Sequence, residues 1–352
     1  MNRTKFILAV ACAMSTWLAG PGISRAQHFD VLAQQVDGKL VTGAANFDTN
    51  QWTLGRRVYF REFDGDYAIN NPGFNALGAG APSLPFGSQA LPGEAAFDWD
   101  FWPMRIDDLT TNLFYWDGAE SDGLPGLTPN DVRFGTLPGP NYGLSLFDQS
   151  NAKYTADGSD QAVAGGIIDD TAADGSLHRH RFFLLEDDDG NSATDPADGI
   201  YLIAMRLRMA GLATSDPIYV AFGTPGSSIE ALDDAAVPWV TANADTLVLL
   251  GDYNKNGAVD AADYTVWRNT LGANGFALAG DGDASGVVDA ADYEVWREHY
   301  GATSPTVGSG ASPFGAEVPE TWTCWLAVAA MLSIVGCRVT IRRQPRVLTF
   351  GR

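Results

Sequence analysis

The stretch DYNKNGAVDAAD at residues 252–263 returns as DGDASGVVDAAD at residues 281–292, an offset of 29 residues from 252 to 281. Both copies place oxygen-bearing side chains at loop positions 1, 3, 5, 9 and 12, and both have glycine at position 6, where such a loop turns sharply. Calcium prefers oxygen ligands, and this spacing directs alternate side chains toward one centre. The repeat therefore predicts two calcium-binding loops.

The candidate calcium ligands follow from these loop positions. The first loop offers Asp252, Asn254, Asn256, Asp260 and Asp263, together with the carbonyl oxygen of Ala258 at position 7. The second loop offers Asp281, Asp283, Ser285, Asp289 and Asp292, together with the carbonyl oxygen of Val287. The second loop has four carboxylates against three in the first. Position 8 is a valine in both copies, Val259 and Val288, and we expect the paired loops to touch there.

Each loop is followed by apolar residues at helical spacing. The residues concerned are Tyr264, Trp267 and Leu271 in the first copy, and Tyr293, Trp296 and Tyr300 in the second. Spacings of three and four place each trio on one helix face, so two short helices can close over a shared core. With aspartate at position 12 of both loops, residues 251–301 resemble a type I dockerin. That resemblance implies a small α-helical module and a cohesin-like partner.

In the dockerins that this module resembles, the residue pair after position 9 helps to select the cohesin. Both copies here carry alanines at that place, Ala261-Ala262 and Ala290-Ala291. Binding to a cohesin-like protein is therefore one interpretation. The alternative is a cap that stabilises the rest of the chain and has no partner of its own.

The two ends of the chain carry targeting features. Residues 1–26 have a charged start, an apolar run and a small-x-small end at Ser24-Arg25-Ala26, a pattern typical of a signal peptide. Residues 321–337 are almost entirely apolar and predict a transmembrane helix. The arginine-rich residues 338–352 predict a cytoplasmic tail, because basic segments remain on that side of the membrane. The body of the protein is therefore expected to be exported.

A short motif precedes the predicted transmembrane helix. Residues 302–320 form a linker rich in glycine, serine and proline, and Val318-Pro319-Glu320-Thr321 stands at its end. Together with the apolar segment and the arginines, the motif resembles a PEP-CTERM sorting signal, although a second proline is usual where Thr321 stands. The resemblance implies recognition by an exosortase-type sorting enzyme and a place at the cell surface or outer envelope.

Residues 27–245 alternate short apolar runs with glycine, asparagine, aspartate and proline, a pattern that favours an antiparallel β-sandwich. The predicted strands are 29–35, 39–43, 56–63, 109–116, 178–186, 199–209 and 217–222. Residues 70–95 are predicted to form a long loop, and residues 228–236 a short helix. All three cysteines lie in the predicted signal peptide and transmembrane segment, so this region has no disulfide framework. The expected fold class is mainly β with a small α-helical module.

Charge and motifs narrow the function classes. A net charge of −21 argues against nucleic acid, because phosphate binding requires a basic face. No catalytic motif is recognisable, which favours a non-catalytic exported surface or extracellular-matrix protein. Carboxylate pairs at Asp98/Asp100 and Asp107/Asp108 keep a glycoside hydrolase as an alternative. The aromatic residues Trp52, Trp99, Trp102, Tyr115 and Trp116 are candidates for polysaccharide binding if they are exposed, although core positions are more common for tryptophan.

Histidines supply a second candidate metal site. His178 and His180 stand two positions apart, which places both imidazoles on one face of a strand, and His28 or Asp30 could complete a zinc site. Two histidines on a half-exposed strand without metal are the alternative. The His-x-Asp start at His28, Gly175-Ser-Leu-His-Arg-His, Gly199-Ile-Tyr-Leu and Ser215-Asp-Pro-Ile-Tyr-Val together faintly resemble secreted PEP-CTERM proteins under zinc-responsive control, and this resemblance also implies a zinc-binding role. The acidic stretch 187–198 repeats part of the calcium spacing but lacks glycine at position 6, and we expect an acidic hairpin loop there.

Overall fold

A computed structural model of the chain describes residues 29–47, 49–121, 126–187 and 195–307. These residues all belong to one compact unit, Met1–Gly310. The predicted signal peptide 1–26, His28, most of the linker 302–320, the apolar segment 321–337 and the tail 338–352 lie outside the described residues, as does most of the acidic stretch 187–198. In the ranges that are described, no helix combines the length and the apolarity needed to cross a bilayer.

The structure is mainly β. Its strands are β1 (Asp30–Val36), β2 (Lys39–Asn46), β3 (Gln51–Leu54), β4 (Val58–Glu62), β5 (Ala68–Ile69), β6 (Phe74–Ala76), β7 (Ala96–Trp102), β8 (Met104–Ile106), β9 (Leu109–Thr111), β10 (Phe114–Trp116), β11 (Gly143–Phe147), β12 (Lys153–Ala156), β13 (Val163–Asp170), β14 (Leu177–Arg179), β15 (Phe183–Glu186), β16 (Ile200–Met209) and β17 (Ile218–Gly223). The helical elements are a 3-10 turn (Pro129–Asp131), a π-helical turn (Ala231–Ala236), α1 (Val237–Asn243), α2 (Ala261–Thr270) and α3 (Ala290–His299).

Three larger sheets make up most of the β region. The first has the strand order β14-β6-β1-β2-β3, the second β13-β7-β16-β17-β4, and the third β12-β11-β15-β5. Strand β10 also pairs with β16, and β8 pairs with β9 in a short hairpin. Most pairings are antiparallel, but β4 runs parallel to β17 and β6 runs parallel to β1.

Two hydrophobic clusters lie on opposite faces of β16. One cluster collects side chains from all three sheets, such as Val31, Leu146 and Met205. The other packs Leu202 and its neighbours against the helical segment that contains Trp239. Because both faces of β16 are covered, its sequence is an almost unbroken apolar run rather than an alternating one.

Several predicted elements are confirmed. The hairpin of β1 and β2 turns at Asp37 and Gly38, whose φ values of 50° and 81° are those of the turn that aspartate-glycine favours between antiparallel strands. Strands β4, β16 and β17 lie within one or two residues of their predicted bounds. The short helix predicted at 228–236 is present and continues into α1.

Other elements differ from the prediction. The strand predicted at 109–116 is interrupted at Asn112, whose buried side-chain amide donates hydrogen bonds to the loop that follows β12 instead of continuing a ladder. The strand predicted at 178–186 is likewise divided into β14 and β15. The predicted loop 70–95 contains β6, a strand of three residues that is too short to show a periodic pattern.

Candidate metal centre

The two repeated loops have left-handed residues at the same two positions. At position 4, Lys255 and Ala284 have φ values of 58° and 56°, and at position 6, Gly257 and Gly286 have values of 89° and 82°. Glycine adopts this left-handed conformation at little cost, whereas other residues are disfavoured there. The glycine at position 6 therefore performs the sharp turn that the repeat predicted.

The second loop brings three of its predicted ligands together. The carboxylates of Asp281, Asp283 and Asp292 each offer an oxygen within 4.8 Å of the others. Backbone amides orient all three: Asp281 accepts from Ser285 and Gly286, Asp283 accepts from Ser285, and Asp292 accepts from the amides at 282, 283 and 289. A cluster of carboxylates held in this way could bind a metal ion, and calcium is the cation that prefers such oxygens.

The first loop repeats the arrangement with less charge. Asp252 accepts hydrogen bonds from the amides of Asn256 and Gly257, at 3.0 and 2.7 Å. Asp263 accepts from the amide of Asn254 at 2.9 Å. Since Asn254 stands where the second loop has Asp283, two carboxylates and one amide oxygen replace the three carboxylates. We therefore expect the first loop to bind calcium more weakly than the second.

The remaining predicted ligands have other contacts in this structure. At position 9, Asp260 and Asp289 cap α2 and α3, because each carboxylate accepts a hydrogen bond from the amide two residues later at 2.7 Å. At position 5, the Asn256 side chain accepts from the amide of Ala258, and the Ser285 hydroxyl donates to the carbonyl of Val287. In the second loop, positions 1, 3 and 12 are the ones whose carboxylates converge.

The two copies of the repeat are joined by hydrogen bonds that run in both directions. The indole of Trp267 donates to the carbonyl of Asp289 at 2.7 Å, and the indole of Trp296 donates to the carbonyl of Asp260 at 2.8 Å. The same exchange occurs in the backbone, where the valine at position 8 of each loop bonds to the segment after the helix of the other copy: Val259 with Gly301 and Ala302, and Val288 with Gly272 and Ala273. Both valines are buried, and this reciprocal exchange joins the two copies at the positions where the loops were expected to touch.

An aromatic cluster fills the space between α2 and α3. Tyr264, Trp267, Tyr293 and Trp296 have ring centroids 5.2 to 6.1 Å apart and are all half-buried. The prediction that Leu271 also closes this core is wrong, because α2 ends at Thr270 and Leu271 is 54% exposed. Tyr300 likewise follows the end of α3 and is 58% exposed, although its ring lies 5.3 Å from that of Trp296.

Tyr253 connects the first loop to the second. Its hydroxyl is buried and donates to the carbonyl of Asp292 at 2.6 Å. We expect Tyr253→Phe to lower the free energy of unfolding by about 1 kcal/mol, because one buried hydrogen bond is lost and the ring is retained. Urea unfolding in saturating calcium measures the change. Tyr300→Phe, at a ring that is 58% exposed, is the matched control, and equal effects of the two variants would contradict the role of the hydroxyl.

Burial and mutual repulsion raise the proton affinity of the carboxylates in the second loop. Burial, reinforced by Asp292 and Asp283, raises the pKa of Asp281 from 3.8 to about 6. Burial also raises the pKa of Asp292 and of Asp252. A bound cation would offset the cost of burying these negative charges close together, because its positive charge stabilises the ionised carboxylates.

A pH dependence follows for the calcium-free protein. A carboxyl whose pKa is higher in the folded than in the unfolded state stabilises the fold at low pH, and this stabilisation is lost as the pH rises through the folded-state value. With chelator present, the free energy of unfolding of the native chain, measured relative to that of Asp281→Asn, should therefore fall as pH rises from 3.8 through about 6. Denaturant unfolding of both proteins at several pH values measures that difference. A difference that stays constant across this range would contradict the assignment to Asp281.

Both loops contact the β region. Arg206 of β16 is buried, stacks over Trp102 at 4.4 Å, and donates to the carbonyl of Gly282 at 3.3 Å. Thr214 donates to the carbonyl of Ala284 at 3.3 Å, and Arg105 donates to the carbonyl of Lys255 at 3.1 Å. These contacts lie beside the ligand positions of both loops, so the β region supports the backbone that forms the sites. A cavity of about 340 Å³ remains at this junction.

The structure places two of the three histidines predicted as zinc ligands. His178 and His180 do come together, with their Nε2 atoms 3.3 Å apart. Asp30 is also near, its Oδ2 atom lying 3.8 Å from Nε2 of His180. His28 is outside the described residues. His178 belongs to β14, but His180 follows the end of that strand, so the pair meets at a strand end rather than on a continuous strand face.

Several of the paired carboxylates and aromatic residues singled out in the sequence lie in an ion pair, a turn or the core. Asp100 is buried in an ion pair with Arg208, whose Nη2 lies 3.0 Å from Oδ1. Asp107 and Asp108 form the turn between β8 and β9. Among the five aromatic candidates, Trp99 and Trp116 are fully buried, which confirms the expectation of core positions for these two.

Sequence reasoning missed the residues that support the loops. Arg206 lies in an apolar strand and carries no local signal that its side chain would reach the second loop. The equivalence of Trp267 and Trp296 was visible in the sequence, since both indoles occupy the same place in the repeat. Nothing in the sequence indicated that each would bond to a carbonyl of the other copy. No family model, curated protein or solved structure matches this chain.

Proposed function

We propose that this chain is a non-catalytic exported surface or extracellular-matrix protein that binds two calcium ions through residues 251–301. The convergence of Asp281, Asp283 and Asp292 within 4.8 Å carries the proposal. The first loop has the same left-handed positions and the same amide bonds to positions 1 and 12, which supports a second ion. The ion pair of Asp100 and the turn position of Asp107 and Asp108 support a role without glycoside hydrolysis.

Native mass spectrometry of the purified chain tests the calcium stoichiometry. Two calcium ions should be retained after exchange into a chelator-free volatile buffer, and both should be lost after chelation. Binding of one ion would limit the proposal to the second loop. If chelation changed neither the mass nor the circular dichroism, calcium binding by this module would be refuted.

We propose further that the module resembles a dockerin in function and docks to a cohesin-like protein. The alanine pairs Ala261-Ala262 and Ala290-Ala291 are exposed at the starts of α2 and α3, on residues that do not bond to the β region. They are therefore accessible to a partner while the loops face the β region. The stabilising-cap alternative is supported by the bonds of Gly282 and Ala284 to that region.

A pull-down with immobilised cohesins separates docking from capping. Capture in calcium, loss with chelator, and loss in an Ala262→Glu/Ala291→Glu variant would support docking. Both substitutions are at exposed helix positions, so the variant should retain calcium and fold. Absence of capture by the native chain would favour the cap.

We also propose a β-sandwich for residues 27–245 and a membrane anchor at 321–337. One hydrophobic cluster shared by three sheets supports the sandwich. The apolar segment, the PEP-like motif at Val318-Pro319-Glu320 and the arginines that follow support export and sorting by an exosortase-type enzyme. Cell fractionation of the full chain beside a chain ending at residue 317 tests the anchor, because the truncated chain should appear in the medium.

A further inference from the structure

A pair of histidines outside the calcium loops has an unusual geometry. The Nε2 atoms of His178 and His180 face each other at 3.3 Å, and their ring planes are inclined by 41°. If both nitrogens bound one zinc ion at the usual 2.0–2.1 Å, a separation of 3.3 Å would give an N–Zn–N angle of about 104–111°. That range includes the tetrahedral angle that zinc adopts in proteins.

The tautomer of His180 suits metal binding. Its Nδ1 atom lies 2.8 Å from the carbonyl oxygen of Asn70. A carbonyl oxygen can only accept, so Nδ1 carries the hydrogen, and in the neutral ring Nε2 keeps its lone pair. An imidazole whose second nitrogen donates to a carbonyl is the usual support of a zinc-binding histidine, because this bond fixes both ring orientation and tautomer.

Asp30 offers an oxygen beside this pair. Its Oδ1 atom is occupied, since it accepts from the amide of Gly73 at 2.9 Å and from Nη2 of Arg61 at 3.1 Å. The other oxygen, Oδ2, lies 3.8 Å from Nε2 of His180. Adjacent ligands on a tetrahedral zinc are about 3.3 Å apart, so the Asp30 carboxylate has to turn toward the two imidazoles to share an ion with them. Arg61 fixes the orientation of Asp30, although its positive charge reduces the attraction for a cation.

The surroundings leave this site open and give it the room it needs. His178 is exposed and the His180 side chain is 31% exposed, so an ion can enter from solvent. Gly73 lies against the His180 ring, and a Cβ atom there would be 2.7 Å from Nε2. A side chain at residue 73 would therefore displace the imidazole.

We propose that His178, His180 and Asp30 bind one zinc ion, with the two imidazoles ligating through Nε2 and Asp30 through Oδ2. The fourth position faces solvent and is open to water or to a ligand atom. The site shares no residue with the calcium loops, so it stands or falls independently of the proposed calcium function.

The test uses the untagged full chain, freed of metal and then saturated with calcium so that the paired loops are filled. Titration with zinc against a chromophoric chelator should show one equivalent of zinc. Cobalt at the same site should give the intense visible absorption of a tetrahedral complex. His178→Gln and His180→Gln should each weaken zinc binding by about 100-fold or more, because each removes one of three protein ligands.

Matched variants assign the ligands. His299→Gln alters a histidine in α3 whose Nδ1 bonds to the carbonyl of Val295, and it should leave zinc binding unchanged. Asp30→Asn should shift the cobalt spectrum, and an unchanged spectrum would remove Asp30 from the site. Failure of the native chain to bind zinc, or equal binding by native protein and His178→Gln, would overturn the proposal. In that case the two rings are joined by an N–H···N hydrogen bond only.

Discussion

Replacing Asp292 with asparagine is expected to weaken calcium binding at the second loop by about 100-fold or more, since ligand charge sets the affinity of such loops. Asp292 is buried at position 12, and its two oxygens accept three backbone amide bonds. Asparagine keeps the size of the side chain but removes the charge and one acceptor. Isothermal titration with calcium should show one remaining site, in the first loop.

Asp289→Asn is the matched control for that variant. Asp289 belongs to the same loop and differs in its surroundings, because it is exposed and caps α3. Asparagine is also a good N-cap residue, so the helix start should survive. We expect less than about a 10-fold loss of affinity, because Asp289 lies outside the carboxylate cluster. Equal losses in Asp289→Asn and Asp292→Asn would contradict the central position of Asp292.

Calcium is expected to raise the free energy of unfolding by about 5 kcal/mol when its free concentration is 100 times both dissociation constants. Each site that exists only in the folded state contributes about 2.7 kcal/mol at that concentration. The melting temperature should rise by roughly 10 °C or more. Differential scanning calorimetry over a calcium series measures the shift, and Asp292→Asn should lose about half of it.

The same series shows whether calcium stabilises the β region as well as the loops. Because Arg206 and Thr214 bond to the carbonyls of Gly282 and Ala284, ordering of the second loop should be transmitted to β16 and the segment after it. Hydrogen exchange of the amides in β16 should therefore slow when calcium is added. If exchange slowed in residues 251–301 alone, the two parts would be energetically independent despite their contacts.

The location of the two repeated loops could be predicted because their information is local. All the candidate ligands of one loop come from twelve consecutive residues, and the glycine at position 6 fixes the turn within the same window. The hairpin at Asp37-Gly38 was predictable for the same reason, since two residues determine the twist that joins β1 to β2. The helix trios were less accurate, because α2 ends before Leu271, and the signal for that end is Gly272, which has a left-handed φ of 86° directly after Leu271.

Strand pairing was not predictable in this way. β7 was not among the predicted strands, although it lies between β13 and β16 and buries Phe97, Trp99 and Phe101. Its alternating aspartates suggested a catalytic pair, and only the fold shows that Asp100 meets Arg208 of β16. Such a partner, 108 residues away, leaves no trace in local periodicity.

The sequence by itself determined the mainly β class, the two loops and the ligand types within them. The tertiary structure decided which of those ligands converge, that the two copies exchange their tryptophan bonds, and that Asp30 approaches His180. The physical reason is the range of the interactions. Loop ligation and tight turns depend on backbone angles within a few residues, whereas the contacts of Arg206, Asp100 and Asp30 arise only when distant strands pack to bury their apolar faces.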